Sequence, residues 1–386
     1  MSARNPIALK IQRRSYPRAA TWEIYIHSLL NSADVEPAFV KLNEYFLHDG
    51  HVCLAFDRHG RSLSEAISRK PLTLSRTKQV ARRILLGLSR LHAQGFAHSD
   101  VKPENVLYDA RCGDARLADL GSATNRLRRC MSCGTREYIA PELLLGAPVG
   151  VEFDMWSFGC TVFEMLTGRL LFSPRRAAAR KYKEFHVANP AIPVAESVLK
   201  DHTEELAEQY PRGTIVAGKY VLKRKLGQGQ FGTVWSAEAS HTRKVGGDHV
   251  EVWNHAAAVI ESRPEPTGQE QRDSLWRKEK GADDLIDLAI NHEHTVLMET
   301  LLGPFPAELV RDSSYRASYF EADGALRFRP EIKPVPIRER LRRGTGLRGM
   351  ELDSTADFLS GVLQMDRAGR SSAANALRHD WLSPTA

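Results

Sequence analysis

The chain has 386 residues, 42% of them hydrophobic, and a formal charge of +7 at pH 7, enough apolar material for one large domain or two of ordinary size. No run of 18 or more apolar residues offers a membrane span, and nothing resembles a signal peptide; the expected setting is soluble and intracellular, without membrane contact. The five cysteines, at 53, 112, 130, 133 and 160, are too few and too irregular for a disulfide framework, and Cys130 and Cys133 form a lone C-x-x-C without the second pair of a zinc site.

In chain order, residues 6–11 alternate and then become apolar, which predicts a strand with a single Lys, Lys10, in it. Residues 19–30 read as a helix that carries Glu23. Two further apolar stretches, 39–46 and 51–56, predict strands, and between 75 and 94 apolar residues recur at helical spacing through Val80, Ile84, Leu85, Leu88 and Leu91. That helix delivers the stretch around which the chain is organised, His98-Ser99-Asp100-Val101-Lys102-Pro103-Glu104-Asn105-Val106-Leu107. Phosphoryl transfer needs a carboxylate to orient the attacking hydroxyl, a cation for the phosphate and an amide oxygen for a metal ion. Asp100, Lys102 and Asn105 supply those groups in that order; the plainer reading of Asp-x-Lys alone is a surface salt bridge. The paired arginines 13-14, 175-176 and 342-343 are not interleaved with aromatics and read as solvated faces, so direct nucleic-acid contact is not expected.

The loop resembles the catalytic loop of eukaryotic protein kinases, H-R-D-x-K-x-x-N. Three more motifs follow in that family's order: Ala118-Asp119-Leu120-Gly121, similar to D-F-G; Gly134-Thr135-Arg136-Glu137-Tyr138-Ile139-Ala140-Pro141-Glu142, similar to the end of an activation segment; and Asp154-Met155-Trp156-Ser157-Phe158-Gly159, similar to the start of the buried helix beyond it. The resemblance implies an α+β, two-lobed fold, a small antiparallel-sheet lobe with one helix and a mainly helical lobe. It implies ATP and Mg²⁺ as cofactors, with Asn105 and Asp119 on the metal, and Lys10, like the Lys of V-A-I-K, on the phosphates and paired with Glu23. Ala8, Val234 and Leu107 would sandwich the adenine, Phe56 would stand at the back of its pocket, and the backbone of Asp57 and His59 would meet its edge. Glu142 and Arg370 would form a buried ion pair, and Asp154 would accept backbone N–H groups of the catalytic loop. Lys102 and Thr135 imply a Ser or Thr acceptor on a protein.

Within that family the chain resembles the CMGC group, most of all the SR-protein and LAMMER (CDC-like) kinases, through Ala55-Phe56-Asp57 with Gly60, the form His-Ser-Asp and Asp-Leu-Gly-Ser-Ala. This suggests Arg/Ser-rich substrates and, by analogy, a cytoplasmic or nuclear location. Asp283, Asp284 and Asp287 would then contribute to an acidic substrate groove, although favourable charge at a helix N-terminus explains them as well. Ser99 stands where regulated members carry the Arg that anchors an activation-loop phosphate, which implies activity without that phosphate. Ile139 departs from the group, whose members usually have Arg there.

The glycine-rich motif is out of place. Residues 218–235 contain Gly227-Gln228-Gly229-Gln230-Phe231-Gly232-Thr233-Val234 between two strand-like runs, about 220 residues after Lys10. Gly227, Gly229 and Gly232 suit a backbone folded closely over phosphates, and no helix pattern follows as a dinucleotide-binding fingerprint would need. The domains expected are 1–60 (small lobe to hinge), 61–173 (catalytic core), 174–282 (an insertion holding the displaced hairpin) and 283–386 (the remaining helices). Three arrangements stay open: the hairpin docks on its own sheet, completes a second copy, or is idle in a rearranged chain. The last would make the protein a kinase-like scaffold with weak or no activity.

Overall fold

A computed structural model of the chain describes residues 6–13, 17–30, 37–125, 134–174, 176–177, 210–228, 232–239, 282–327 and 334–383. It divides into two compact units, the first built from residues 1–61, 107–123 and 203–265, the second from 62–106, 124–202 and 266–386. Among the described residues no helix is long and apolar enough to cross a membrane.

The first unit is organised on Ile7–Gln12 (β1), followed by the helix Pro17–Leu30 (α1) and the strands Leu42–His48 (β2) and His51–Asp57 (β3); Arg61–Ser62 (β4) spans the residues where the first unit ends and the second begins. The chain returns to this unit with Val106–Asp109 (β5) and Asp114–Leu117 (β6), and again with Ile215–Val216 (β7), Tyr220–Gln228 (β8) and Gly232–Ala239 (β9). The main sheet has six strands in the order β2-β3-β1-β9-β8-β7. On one edge β1 pairs antiparallel with β3, Lys10 opposite Leu54. On its other edge it pairs antiparallel with β9, Lys10 opposite Val234 and Gln12 opposite Gly232. The displaced hairpin thus docks on β1 of its own chain, the first of the three arrangements.

Strand alternation decides which side chains meet on each face. Leu9 and Ile11 of β1, Cys53 and Ala55 of β3, Leu222 of β8 and Trp235 and Ala237 of β9 pack into one buried cluster with Phe46, Val216 and Tyr220. On the opposite face Leu54 and Phe56 join Ala20 and Ile24 of α1, with Ala8, Leu107 and Ala118 against them. At Gly232 β9 leaves no room for a side chain against β1, since a Cβ there would drive into the carbonyl of Ile11. The hairpin is also tied to the far strand: Lys219 Nζ donates to Glu44 Oε1 of β2 at 2.6 Å, across 175 residues, and the Tyr220 hydroxyl donates to the same carboxylate.

The second unit is mainly helical. Leu63–Arg69 (α2) and Leu74–Ala93 (α3) start on side-chain caps, Ser62 accepting from the Glu65 N–H and Thr73 from the Arg76 N–H. The apolar face of α3 is buried through Val80, Ile84, Leu85, Leu88 and Leu91. Pro141–Leu144 (α4) and Phe153–Thr167 (α5) follow, the latter buried along nearly all its length. Its longer later helices are Ala282–Leu302, Ile337–Gly344 and Gly349–Val362.

Candidate active site

In the first unit β1, α1 and the segment after β6 bring three charged side chains together. Lys10 Nζ lies 2.7 Å from Glu23 Oε2 and 2.6 Å from Asp119 Oδ1. Lys10 is 8% exposed and Glu23 1%, so each charge depends on its partners. Burial works against the Lys10 ammonium, but the charges of Glu23 and then Asp119 overcome it and hold its pKa above the ordinary value. Burial pushes the Glu23 carboxyl up, opposed by Lys10. Lys10 faces two carboxylates and stays charged; Glu23 is therefore the member of the pair that takes a proton first as pH falls. Asp119 sits at φ 61 and ψ 62, left-handed backbone that costs a non-glycine residue about 1 kcal/mol or more.

Around this triad Ala8 and Leu107 are partly buried against the cluster that holds Phe56, and Val234 is the cross-strand neighbour of Lys10. The Asp57 N–H donates to the Lys41 carbonyl at 3.0 Å. The imidazole of His59 approaches Asp114 at 3.7 Å, and burial lowers its pKa. Gly227 and Gly232 flank the turn of the hairpin, and Gly229 lies outside the described residues.

In the second unit the loop after α3 gathers the other polar groups. Thr135 Oγ1 donates to Asp100 Oδ1 at 2.8 Å and accepts from Lys102 Nζ at 2.7 Å. Lys102 Nζ lies 2.8 Å from Asp100 Oδ2. Asn105 Nδ2 donates to the Asp100 carbonyl at 2.8 Å and to its Oδ2 at 2.9 Å. From α5, Asp154 accepts from the N–H groups of His98 at 2.6 Å and Ser99 at 2.9 Å, and meets His92 Nε2 at 2.9 Å. These bonds hold the loop in a shape that puts Ser99 at φ 71. Arg370 Nη1 and Nη2 reach the two oxygens of Glu142 at 2.6 and 2.9 Å.

Sequence reasoning missed Gln12, whose Nε2 donates to Glu23 Oε2 at 3.3 Å; its position two residues beyond Lys10 on a strand was the available signal. It also missed the Tyr138 hydroxyl donating to Glu164 Oε2 at 2.5 Å. Burial pushes the Glu164 carboxyl up to about 7; the Tyr138 bond works the other way, and the charges of Glu104 and Glu137 add to the rise. The Cys130-Cys133 pair lies outside the described residues, as do the side chains of Asp283, Asp284 and Asp287. A groove of about 370 Å³ in this unit sets Glu299 and Asp323 beside Arg311 and Arg316, a mixed rather than an acidic lining.

The first unit thus holds a Lys–Glu–Asp triad on a strand, helix and turn, and the second an Asp–Lys–Asn loop network joined by Thr135. The chain belongs to the protein kinase family: the protein kinase domain matches residues 3–210, a span that ends before the hairpin. Its relatives are kinases of the CMGC group. It is 30% identical over 256 residues to homeodomain-interacting protein kinase 1 of Caenorhabditis elegans, covering 62% of this chain and 30% of the relative. It is 36% identical over 177 residues to a dual specificity protein kinase YAK1 homolog of Arabidopsis thaliana, covering 43% of this chain and 18% of the relative. It is 29% identical over 250 residues to serine/threonine-protein kinase SRPK of Physarum polycephalum, covering 47% of this chain and 59% of the relative. The chain thus spans less than two thirds of the length of each of these relatives.

Proposed function

We propose that this chain is a protein serine/threonine kinase that transfers the γ-phosphoryl group of ATP, in the presence of Mg²⁺, to a Ser or Thr hydroxyl of a protein. The observation that carries the reading is the network in which Thr135 joins Asp100 to Lys102. Asp100 orients the acceptor hydroxyl and takes its proton, and Lys102 offsets phosphate charge beside it. Each unit offers a donor of a type that Mg²⁺ takes. Asp119 offers a carboxylate, and Asn105, with Nδ2 committed to Asp100, has its amide oxygen to offer, the hard ligands that Mg²⁺ takes alongside phosphates and water. Lys10, held by Glu23, binds the α- and β-phosphates.

Bound ATP·Mg²⁺ supplies the electrophilic phosphorus and a leaving group whose charge is already partly neutralised. Ala8, Leu107 and Val234 pack on the adenine, Phe56 stands behind it, and the Asp57 carbonyl and His59 N–H meet its edge. Gly227, where a Cβ would meet open space, leaves the hairpin backbone room to approach the phosphates. Gly232 has a second duty in packing β9 on β1. Asp154 supports the loop, and Glu142 and Arg370 give structural support as a buried ion pair. A preference for Arg/Ser-rich substrates is a finer part of the proposal, motivated by Asp283, Asp284 and Asp287.

The test is transfer from labelled ATP to an Arg-Ser-repeat peptide and to a generic basic protein, with Asp100→Asn as the paired control and phosphoamino-acid analysis of the product. Label on Ser or Thr that disappears in the variant is the expected result. Label on Tyr as well would extend the reading to dual specificity. No transfer above the variant, from chain that melts cooperatively, would leave the scaffold reading in its place.

A further inference from the structure

The strand that carries Lys10 also carries a buried amide. Gln12 is 1% exposed, and the two-residue period of a strand sets it on the Lys10 face. Its Nε2 donates to Glu23 Oε2, the oxygen that also accepts from Lys10 Nζ at 2.7 Å. Its backbone carbonyl is engaged by His51 Nδ1 at 2.7 Å, which holds the strand at that residue. Its own Oε1 has no hydrogen-bond partner among the described residues. An unpaired buried carbonyl carries a desolvation cost that an apolar side chain of the same size avoids, so at Gln12 only the Nε2 contact offsets it.

We propose that Gln12 is a positioning residue for the Lys10–Glu23 pair, keeping the Glu23 carboxylate in place when Lys10 gives up Asp119 for a phosphate. This rests on the reading of the triad as a nucleotide site. With two donors on Oε2, Glu23 stays aimed at Lys10 while the ammonium changes partners; with one, the carboxylate is released whenever the ammonium moves. The groups facing Glu23 are Lys10 and Gln12 from β1, Asp119 from the segment after β6 and, one turn along α1, His27, which burial and the Lys10 charge keep neutral.

The experiment titrates the full chain with ¹³C-labelled glutamate carboxyls, Glu23→Gln assigning the signal, and compares wild type with Gln12→Met and, as a second packing solution, Gln12→Leu. Both variants should raise the Glu23 midpoint by about one pH unit. They should also lower kcat/KM for ATP about tenfold near neutral pH, as expected for losing a hydrogen bond to a charged group, with KM for the protein substrate unchanged. The acid limb of the rate profile should move up with the midpoint. If the variants move the midpoint while the wild type transfers no phosphate, the positioning stands and the kinase reading falls. If the wild type transfers phosphate and the variants leave midpoint and rates unmoved, the positioning is overturned and the kinase reading stands.

Discussion

Each unit has a buried ion pair, and the two are built to different ends. Arg370 is 4% exposed and Glu142 1%, and the guanidinium spends its donors on both Glu142 oxygens and on the carbonyls of Gln364 and Glu152. Every one of these bonds is to a group of the fold. Lys10 divides its ammonium between Glu23 and Asp119, and either carboxylate alone can balance its charge. A flexible point charge with two partners can exchange one of them for a ligand; a planar fork with four acceptors cannot. The contrast separates a pair that holds structure from a pair that can work.

The comparison breaks first at the chemistry. Asp100→Asn should lower phosphate transfer about a thousandfold, within the range for losing a general base, while the melting temperature stays within a few degrees; steady-state rates beside a thermal melt check both. Glu142→Leu should do the reverse to stability, costing about 3–5 kcal/mol by stranding the Arg370 charge, read as a lower urea midpoint with unchanged slope. Glu164 sharpens the picture through pH. Its carboxyl is pushed up to about 7 from an ordinary 4.5, so it binds its proton more tightly folded than unfolded. The stability it contributes is complete below about pH 4.5 and is lost as pH rises through about 7. Denaturation between pH 5 and 8 should show this decline, of order 1–3 kcal/mol, and Glu164→Gln should flatten it. The smallest effect should come from Lys219→Met, which removes one partly exposed tie between the hairpin and β2 and should cost about 0.5–1 kcal/mol. Hydrogen exchange in β7 and β8 would detect it where a melt would not.

Local pattern made much of this legible. Lys10 on a short apolar strand, Glu23 on the next helix and the Asp100 loop after a periodic helix are all short-range features, and the loop's groups lie within six residues of one another. Strand pairing was not legible. The partner of β1 at its second edge lies about 220 residues downstream, and nothing local to residues 6–11 says which hairpin it will take. Residues 107–123 were expected with the catalytic core, yet they cluster with the first unit, because Phe39 bridges Leu117 and the Val40 N–H donates to its carbonyl. Gln12 escaped notice because a polar residue next to the turn after a strand is ordinarily read as solvent-facing, whereas here it is buried and bonded to Glu23 of α1.

The pairing of β1 with β9 also sets a timetable for synthesis. β1 leaves the ribosome before either of its partners, with β3 soon available for one edge, but the strand for its other edge is not made until about 220 residues later. At roughly 5–20 residues per second the newborn chain presents an apolar edge strand with unmatched N–H and C=O groups for about 10–45 s. Such an edge is a template for pairing with other chains, so the yield of native protein should depend on translation speed and on chaperones that shield the nascent segment.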